Sequence, residues 1–299
     1  MNTTLRVGQK ESVKRTFDQS DFDRFAALSG DDNPIHVDAE FAARTRFGRT
    51  VAHGMFLYSV VSSVLGTRLP GPGTLQVEQD LMFPTATPSG EEVEVCVEVT
   101  EVRPVEGLAE FTTLVVRPDG NPGLQGRALV RLPAPVALPG LGRTKATKVA
   151  TTNHDPSPSF KGLAIGERAE TRRIFTNADL AEYASLTHDH NPLYIKPKYA
   201  QKVGLDGAVV PGGLLGGLFS YLLGTELPGR GTNYLKQRLY FPTPAYAGRE
   251  LAASVEIVRI RPEKQLVNLS TVCVDAADNV VCHGEALVLV RDVKGREGR

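Results

Sequence analysis

The strongest constraint on this chain is that it repeats itself at a single offset of 158 residues. Asp31-Asp32-Asn33-Pro34 recurs as Asp189-His190-Asn191-Pro192, and Phe83-Pro84-Thr85 as Phe241-Pro242-Thr243. Gly126-Arg127-Ala128-Leu129-Val130 recurs as Gly284-Glu285-Ala286-Leu287-Val288. Across 58–71, seven of fourteen positions match their counterparts: Ser62, Leu65, Gly66, Thr67, Leu69, Pro70 and Gly71. One offset serves from Gly8 to Val130 without an insertion. The repeating unit is therefore a whole domain, not the short module of a solenoid. The segment 133–160 is rich in Pro, Gly, Ser and Thr and has no apolar periodicity, which reads as a connector. The expected division is a first copy over 1–133, a linker over 134–160 and a second copy over 161–299.

Each copy has the same expected elements. A short helix (Ser20–Ser29; Asn177–Thr187) leads into the D-x-N-P turn, where Pro fixes the backbone and Asn tolerates unusual dihedrals. A second short helix follows near Ala39–Thr45 and Lys198–Val203. Next comes an apolar helix of about 14 residues beginning at Gly54 and at Gly212. The stretch GMFLYSVVSSVLG is hydrophobic on most sides, the pattern of a fully buried helix. Strands are expected at Leu75–Phe83, Glu92–Val102, Ala109–Arg117 and Gly126–Leu132, from Val and Thr enrichment and from alternation such as Val93-Glu94-Val95-Cys96-Val97. A buried helix wrapped by antiparallel strands makes each copy an α+β unit.

Composition narrows the function. The 299 residues carry 34 Lys and Arg against 34 Asp and Glu, a net charge of zero. That weighs against nucleic acid, which favours a basic excess, and against a membrane surface, which favours a basic amphipathic stretch. The absence of Trp and an aromatic content of 7% weigh against base-stacking platforms. No apolar run approaches the roughly 18 residues of a membrane span, and the N-terminal stretch lacks the apolar core of a signal peptide. Cys96, Cys273 and Cys282 form no C-x-x-C pair or disulfide framework. The expected compartment is the cytoplasm.

Two segments carry candidate chemistry. In Leu28-Ser29-Gly30-Asp31-Asp32-Asn33-Pro34-Ile35-His36, the turn at Pro34 can aim a carboxylate and an imidazole at one water, an acid/base pair. The alternative is a structural turn with a structural histidine. In Val51-Ala52-His53-Gly54-Met55, the start of the buried helix offers unpaired N–H groups and partial positive charge. Gly54 would let a carbonyl oxygen approach and a developing enolate be stabilised; the alternative is a glycine needed only for tight packing. His283 beside Cys282 is too small a set for a metal site, and His154 falls in the linker.

With these residues in view, FAALSGDDNPIHVDAEFA followed by VAHGM resembles the MaoC-like hydratase/dehydratase family, through the (R)-specific enoyl-CoA hydratase motif S-(G/E)-D-x-N-P-hydrophobic-H. The resemblance spans Val7 to Leu132. It implies a hotdog fold in each copy, hence a double hotdog in which the fused copies form an intrachain pseudo-dimer; further homo-oligomers are left open. It implies reversible syn hydration of a trans-2-enoyl-CoA to the (R)-3-hydroxyacyl-CoA. Asp31 and His36 would be the catalytic pair holding the water, and Asn33 would brace the turn. The Gly54 N–H would bind the thioester oxygen, and Ser62 would line the substrate site. It implies no cofactor and no metal.

The second copy departs from the motif. Asp189 and Asn191 are kept, but Tyr194 stands at the His36 position and Pro211 at that of His53. Tyrosine, with a reference pKa of about 10, is a poor base, so this copy is expected to be silent. His188 and His190 flank Asp189 and would point elsewhere. Gly213, Gly216 and Gly217 in the second buried helix either make room for an acyl chain or allow close packing. The alternatives to an enoyl-CoA hydratase are a dehydratase acting on acyl-carrier-protein thioesters and a non-catalytic acyl-thioester-binding protein. The intact Asp31/His36 pair argues against the last.

Overall fold

The computed structural model describes residues 5–133 and 160–293. The first copy runs β1 (Lys10–Thr16), α1 (Gln19–Ser29), α2 (Pro34–Val37), α3 (Ala39–Ala43), α4 (Gly54–Thr67), β2 (Leu75–Met82), β3 (Glu92–Arg103), β4 (Leu108–Val116) and β5 (Pro122–Arg131). The second repeats the order as β6 (Arg168–Ile174), α5 (Asn177–Thr187), α6 (Pro192–Ile195), α7 (Pro197–Lys202), α8 (Gly212–Tyr221), β7 (Asn233–Tyr240), β8 (Glu250–Arg261), β9 (Leu266–Asp275) and β10 (Val280–Leu289). The linker expected at 134–160, with His154, lies outside the described residues except for Phe160.

All ten strands join one antiparallel sheet in the order β1-β3-β4-β5-β2-β7-β10-β9-β8-β6. The two copies meet at β2 and β7, and the buried helices α4 and α8 lie against each other under the sheet. Among the described residues one large apolar core runs through both copies, with Phe56 and Leu65 from α4 and Leu214, Phe219 and Leu222 from the second copy, and a smaller cluster forms around Leu193, Ala200 and Val209. Each such side chain fully removed from water contributes roughly 1.5–3 kcal/mol, so neither central helix is stable as a surface element.

The local chemistry explains most boundaries. Asp18 caps α1 by accepting from the Asp21 N–H while Asp21 reaches back to the Asp18 N–H; Thr176 and Asp179 do the same for α5. The D-x-N-P turns lead into one-turn helices, α2 and α6, that the sequence did not suggest: Asn33 and Asn191 are the caps and the following Pro takes the first helical position. The outer strands β1 and β6 have no sequence expectation. They read KESVKRT and RAETRRI, mostly polar with Val13 and Ala169 packed on the core, because a sheet edge has one neighbour and little apolar burial to encode. The second buried helix is regular only to Tyr221. It then widens into a π-helical turn over Leu222–Glu226, whereas α4 stays α-helical to Thr67.

The pseudo-twofold axis makes equivalent positions face each other. Asp80 pairs in register with Arg238, 158 residues later, and accepts from its Nε at 2.7 Å. Arg24 of α1 donates to Glu182 of α5, again 158 residues later, at 2.6 Å. In a dimer of identical copies each of these positions would oppose its own charge; here one half carries the base and the other the acid. Both pairs are partly solvent-exposed, so each contributes about 1 kcal/mol or less. Arg24→Glu is expected to lower the melting temperature by a few degrees, and adding Glu182→Arg is expected to recover most of the loss. Thermal unfolding of the two variants checks this.

Candidate active site

Helix α1 ends at Gly30, whose φ of 83° reverses the chain and delivers Asp31 into the interior. Asp31 is 1% exposed. Its Oδ1 accepts from the Asn33 N–H at 3.4 Å, and its Oδ2 accepts from the Ser220 hydroxyl at 2.6 Å. One helical turn on, His36 places Nδ1 2.7 Å from the Val51 carbonyl oxygen. A carbonyl only accepts, so Nδ1 carries the proton and the Nε2 lone pair is left free. Burial holds the His36 pKa below the usual imidazole value, with the Asp31 charge opposing it. His53 stacks on His36, ring centroids 3.8 Å apart and planes 28° apart. Its Nε2–H donates to the Asp31 carbonyl at 2.9 Å.

Asp31, Asn33, His36, Gly54 and Ser220 line one cavity of about 540 Å³. Gly54 opens α4, where the first N–H groups have no intrahelical acceptor. A Cβ there would stand 2.7 Å from the Phe83 ring, so a glycine is needed for the sheet to close over the helix start. The rest of the lining is mixed, with Leu57, Leu223 and Leu235 beside Thr85, Thr87 and Arg117. This arrangement can hold a water between a carboxylate and a neutral imidazole, with an oxygen-binding helix terminus nearby. Asp31, His36 and His53 bring potential ligand atoms within 4.8 Å of one another, but the stacking of the two rings, centroids 3.8 Å apart, sets the lone pairs of the histidines in separate planes and disfavours their meeting at one ion.

Ser62 is the sequence-predicted residue that the structure places elsewhere. It does not line this cavity; its hydroxyl donates to Asp189 Oδ2 at 2.9 Å. The exchange follows from the pairing of the copies: α4 lies against the second copy's turn, and α8 with its π-helical extension against the first copy's turn. The serine at Asp31 is therefore Ser220, the repeat counterpart of Ser62. Gly224 makes the same crossing, where a Cβ would stand 3.2 Å from Asp31 Oδ1 and from Asn33 Nδ2. Sequence reasoning missed both, although the 158-residue offset contained the signal.

The matching region of the second copy is nearly filled. Its cavity of about 30 Å³ is lined by Tyr194, Gly212 and Phe241, the counterparts of His36, Gly54 and Phe83. Tyr58 of α4 enters the space and donates to Gln76; a Cβ on Gly212 would stand 2.5 Å from the Tyr58 hydroxyl. Asp189 is fully buried, and burial pushes its carboxyl up to about 7. His188 is the left-handed cap of α5 (φ 60°), and both it and His190 are exposed, away from Asp189. The glycines of α8 are packing positions. A Cβ on Gly216 would stand 2.5 Å from Met55 Sδ and one on Gly217 3.0 Å from Ser29 Cβ; neither these nor Gly213 lines the large cavity.

Comparison with known proteins agrees with this architecture. The family model "MaoC like domain" matches twice, over residues 3–119 and 160–278. An (R)-specific enoyl-CoA hydratase of Aeromonas caviae is 42% identical over 130 residues, 44% of this chain and 97% of that protein. A 3-hydroxybutyryl-CoA dehydratase of Methylorubrum extorquens is 43% identical over 129 residues, 43% of this chain and 82% of that protein. A solved Mycobacterium tuberculosis protein with a double hotdog fold superposes with a TM-score of 0.71 at 17% identity, covering 95% of this chain and 97% of that one. With the motif, the repeat and the sheet in agreement, the chain belongs to the MaoC-like dehydratase family and is a double hotdog enzyme of that family.

Proposed function

We propose that the first-copy cavity adds water reversibly across the double bond of a trans-2-enoyl-CoA to give the (R)-3-hydroxyacyl-CoA, and that the second copy is catalytically silent. The observation that carries this reading is the enclosure of Asp31 and neutral His36 together beneath the start of α4, with the cavity walls drawn from both copies. The names of the similar hydratase and dehydratase support the reaction class.

The chemistry follows from the atoms present. A water accepted between Asp31 and His36 gives one proton to His36 Nε2 as its oxygen attacks C3 of the enoyl group. Negative charge moves to the thioester oxygen, which the Gly54 N–H and the N-terminal end of α4 stabilise. The imidazolium then returns the proton to C2. Hydroxyl and proton arrive from one side, a syn addition, and His36 is regenerated. Asp31 accepts a hydrogen bond from the O–H that the water retains and balances the imidazolium, while the Ser220 hydroxyl fixes its carboxylate. Dehydration is the same path reversed.

The substrate's handle is read from the mouth. The cavity continues into a vestibule of about 1270 Å³, sharing Ile35, Arg46, Phe47, Thr232 and Asn233 with it. Arg44, Arg46 and Arg230 line it, exposed and without an ion pair among the described residues. Their counterparts at the filled site are Lys202, Gly204 and Pro72. The same vestibule also carries Asp32, Glu226 and Asp292, so its charge is balanced overall, and the three arginines supply local donors for a phosphate-bearing pantetheine thioester, whether carried by coenzyme A or by a carrier protein. Rates on matched coenzyme A and carrier-protein thioesters distinguish the two carriers.

Asp31→Asn and His36→Ala are each expected to cut crotonyl-CoA hydration by about 10²–10⁴-fold without loss of fold. Chiral analysis of the wild-type product should give the (R) isomer, and full activity of His36→Ala would end this reading. Arg46→Ala is expected to raise KM several-fold with kcat unchanged, more so at low salt, read by steady-state kinetics at two ionic strengths. Asp189 binds its proton more tightly folded than unfolded, so stability falls as pH rises from about 4 to about 7. Asp189→Asn removes that cost. It is expected to raise the unfolding free energy near pH 8 by on the order of 1–4 kcal/mol, with a smaller gain near pH 5, and to leave the hydration rate unchanged. Denaturant unfolding at both pH values checks the sign.

A further inference from the structure

His53 takes no part in the proton transfer just described, yet it is fully buried and its ring covers a face of His36. Its Nδ1 has no hydrogen-bond partner among the described residues, so it is not held there by complete polar satisfaction. The second copy shows what the ring is not needed for. There Pro211 takes the place of His53, with φ −58° and ψ 144° against −59° and 137°, and α8 begins as α4 does. The turn is equally unaffected: the Asn191 N–H donates to Asp189 Oδ1 at 3.3 Å, against 3.4 Å for Asn33 and Asp31. Asp189 N–H to Thr187 Oγ1 and Asp31 N–H to Ser29 Oγ are both 3.2 Å. Carboxylate, asparagine and serine are thus shared by both copies, whereas the two imidazoles occur together in one and are replaced together in the other.

We propose that His53 is a positioning residue for His36: its buried flat ring fixes the plane of the His36 imidazole, keeping Nδ1 on the Val51 carbonyl and Nε2 aimed into the cavity. One hydrogen bond at Nδ1 fixes a point of the ring and leaves rotation about it; a stacked face removes that rotation. Misplacement of a reacting group by about 1 Å costs on the order of 10²-fold in rate, which sets the scale of the effect. The inference rests on His36 being the proton acceptor.

The test uses the full chain with crotonyl-CoA. His53→Pro copies the backbone-compatible residue of the second copy, His53→Leu keeps volume without a plane, and His53→Phe keeps a flat ring without the hydrogen bond to Asp31. Pro and Leu are expected to lower kcat by about 10–100-fold with KM within about twofold, and Phe to recover kcat to within a few-fold of wild type. Melting temperatures establish that the variants compared are folded; if Pro is not, Leu against Phe decides. A Phe variant no more active than Leu, or a Leu variant with wild-type kcat, overturns the inference. If His36→Ala is inactive while His53→Leu is fully active, this inference alone fails. Full activity of His36→Ala would instead remove the reading of the site on which it rests.

Discussion

Everything in this molecule depends on the pairing of its two copies about the β2–β7 seam. That seam joins two five-stranded sheets into one and brings α4 and α8 together beneath it. Because the axis passes between the copies, each central helix lies against the other copy's D-x-N-P turn. Asp31 therefore receives its hydroxyl from Ser220, and Asp189 receives its from Ser62. Neither half contains a complete site. The cavity beneath the start of α4 takes Ser220, Leu223 and Gly224 of the other copy as its far wall.

Covalent fusion frees the copies from being identical, and the chain uses that freedom in two ways. On the surface, positions that must face their own counterparts carry opposite charges, as in Asp80 with Arg238 and Arg24 with Glu182. In the interior, one potential site is filled. Tyr58 and Gln76 occupy the space by Gly212, whereas the other site keeps a cavity of about 540 Å³, lined by Tyr234 at the position of Gln76. The filled site retains a buried carboxylate with a raised proton affinity, which weakens the fold above neutral pH. Its retention is intelligible structurally, since Asp189 still accepts from the Asn191 N–H and from Ser62 and so holds the turn.

Much of the fold was legible before any coordinate. The buried helices announced themselves by being apolar all round, and the inner strands by alternation. The edge strands β1 and β6 were not legible, because a strand with one neighbour and only a partly buried face leaves little apolar signature, here Val13 and Ala169. Nor was the π-helical turn after Tyr221, whose residues Leu222-Leu223-Gly224-Thr225-Glu226 differ from Val64-Leu65-Gly66-Thr67-Arg68 in two places.

The sequence by itself determined the duplication, the α+β class, the motif Asp31-x-Asn33-Pro34-x-His36 and the inequality of the copies. All of these follow from residue identity and spacing along one chain. Only the tertiary structure decided which serine meets which carboxylate, that the α8 glycines are packing positions, that the second cavity is filled, and that His53 covers His36. Each of these is a contact between residues far apart in sequence, some from different copies. Linear spacing carries no record of which copy's helix crosses which copy's turn; that is set by the axis relating the two halves.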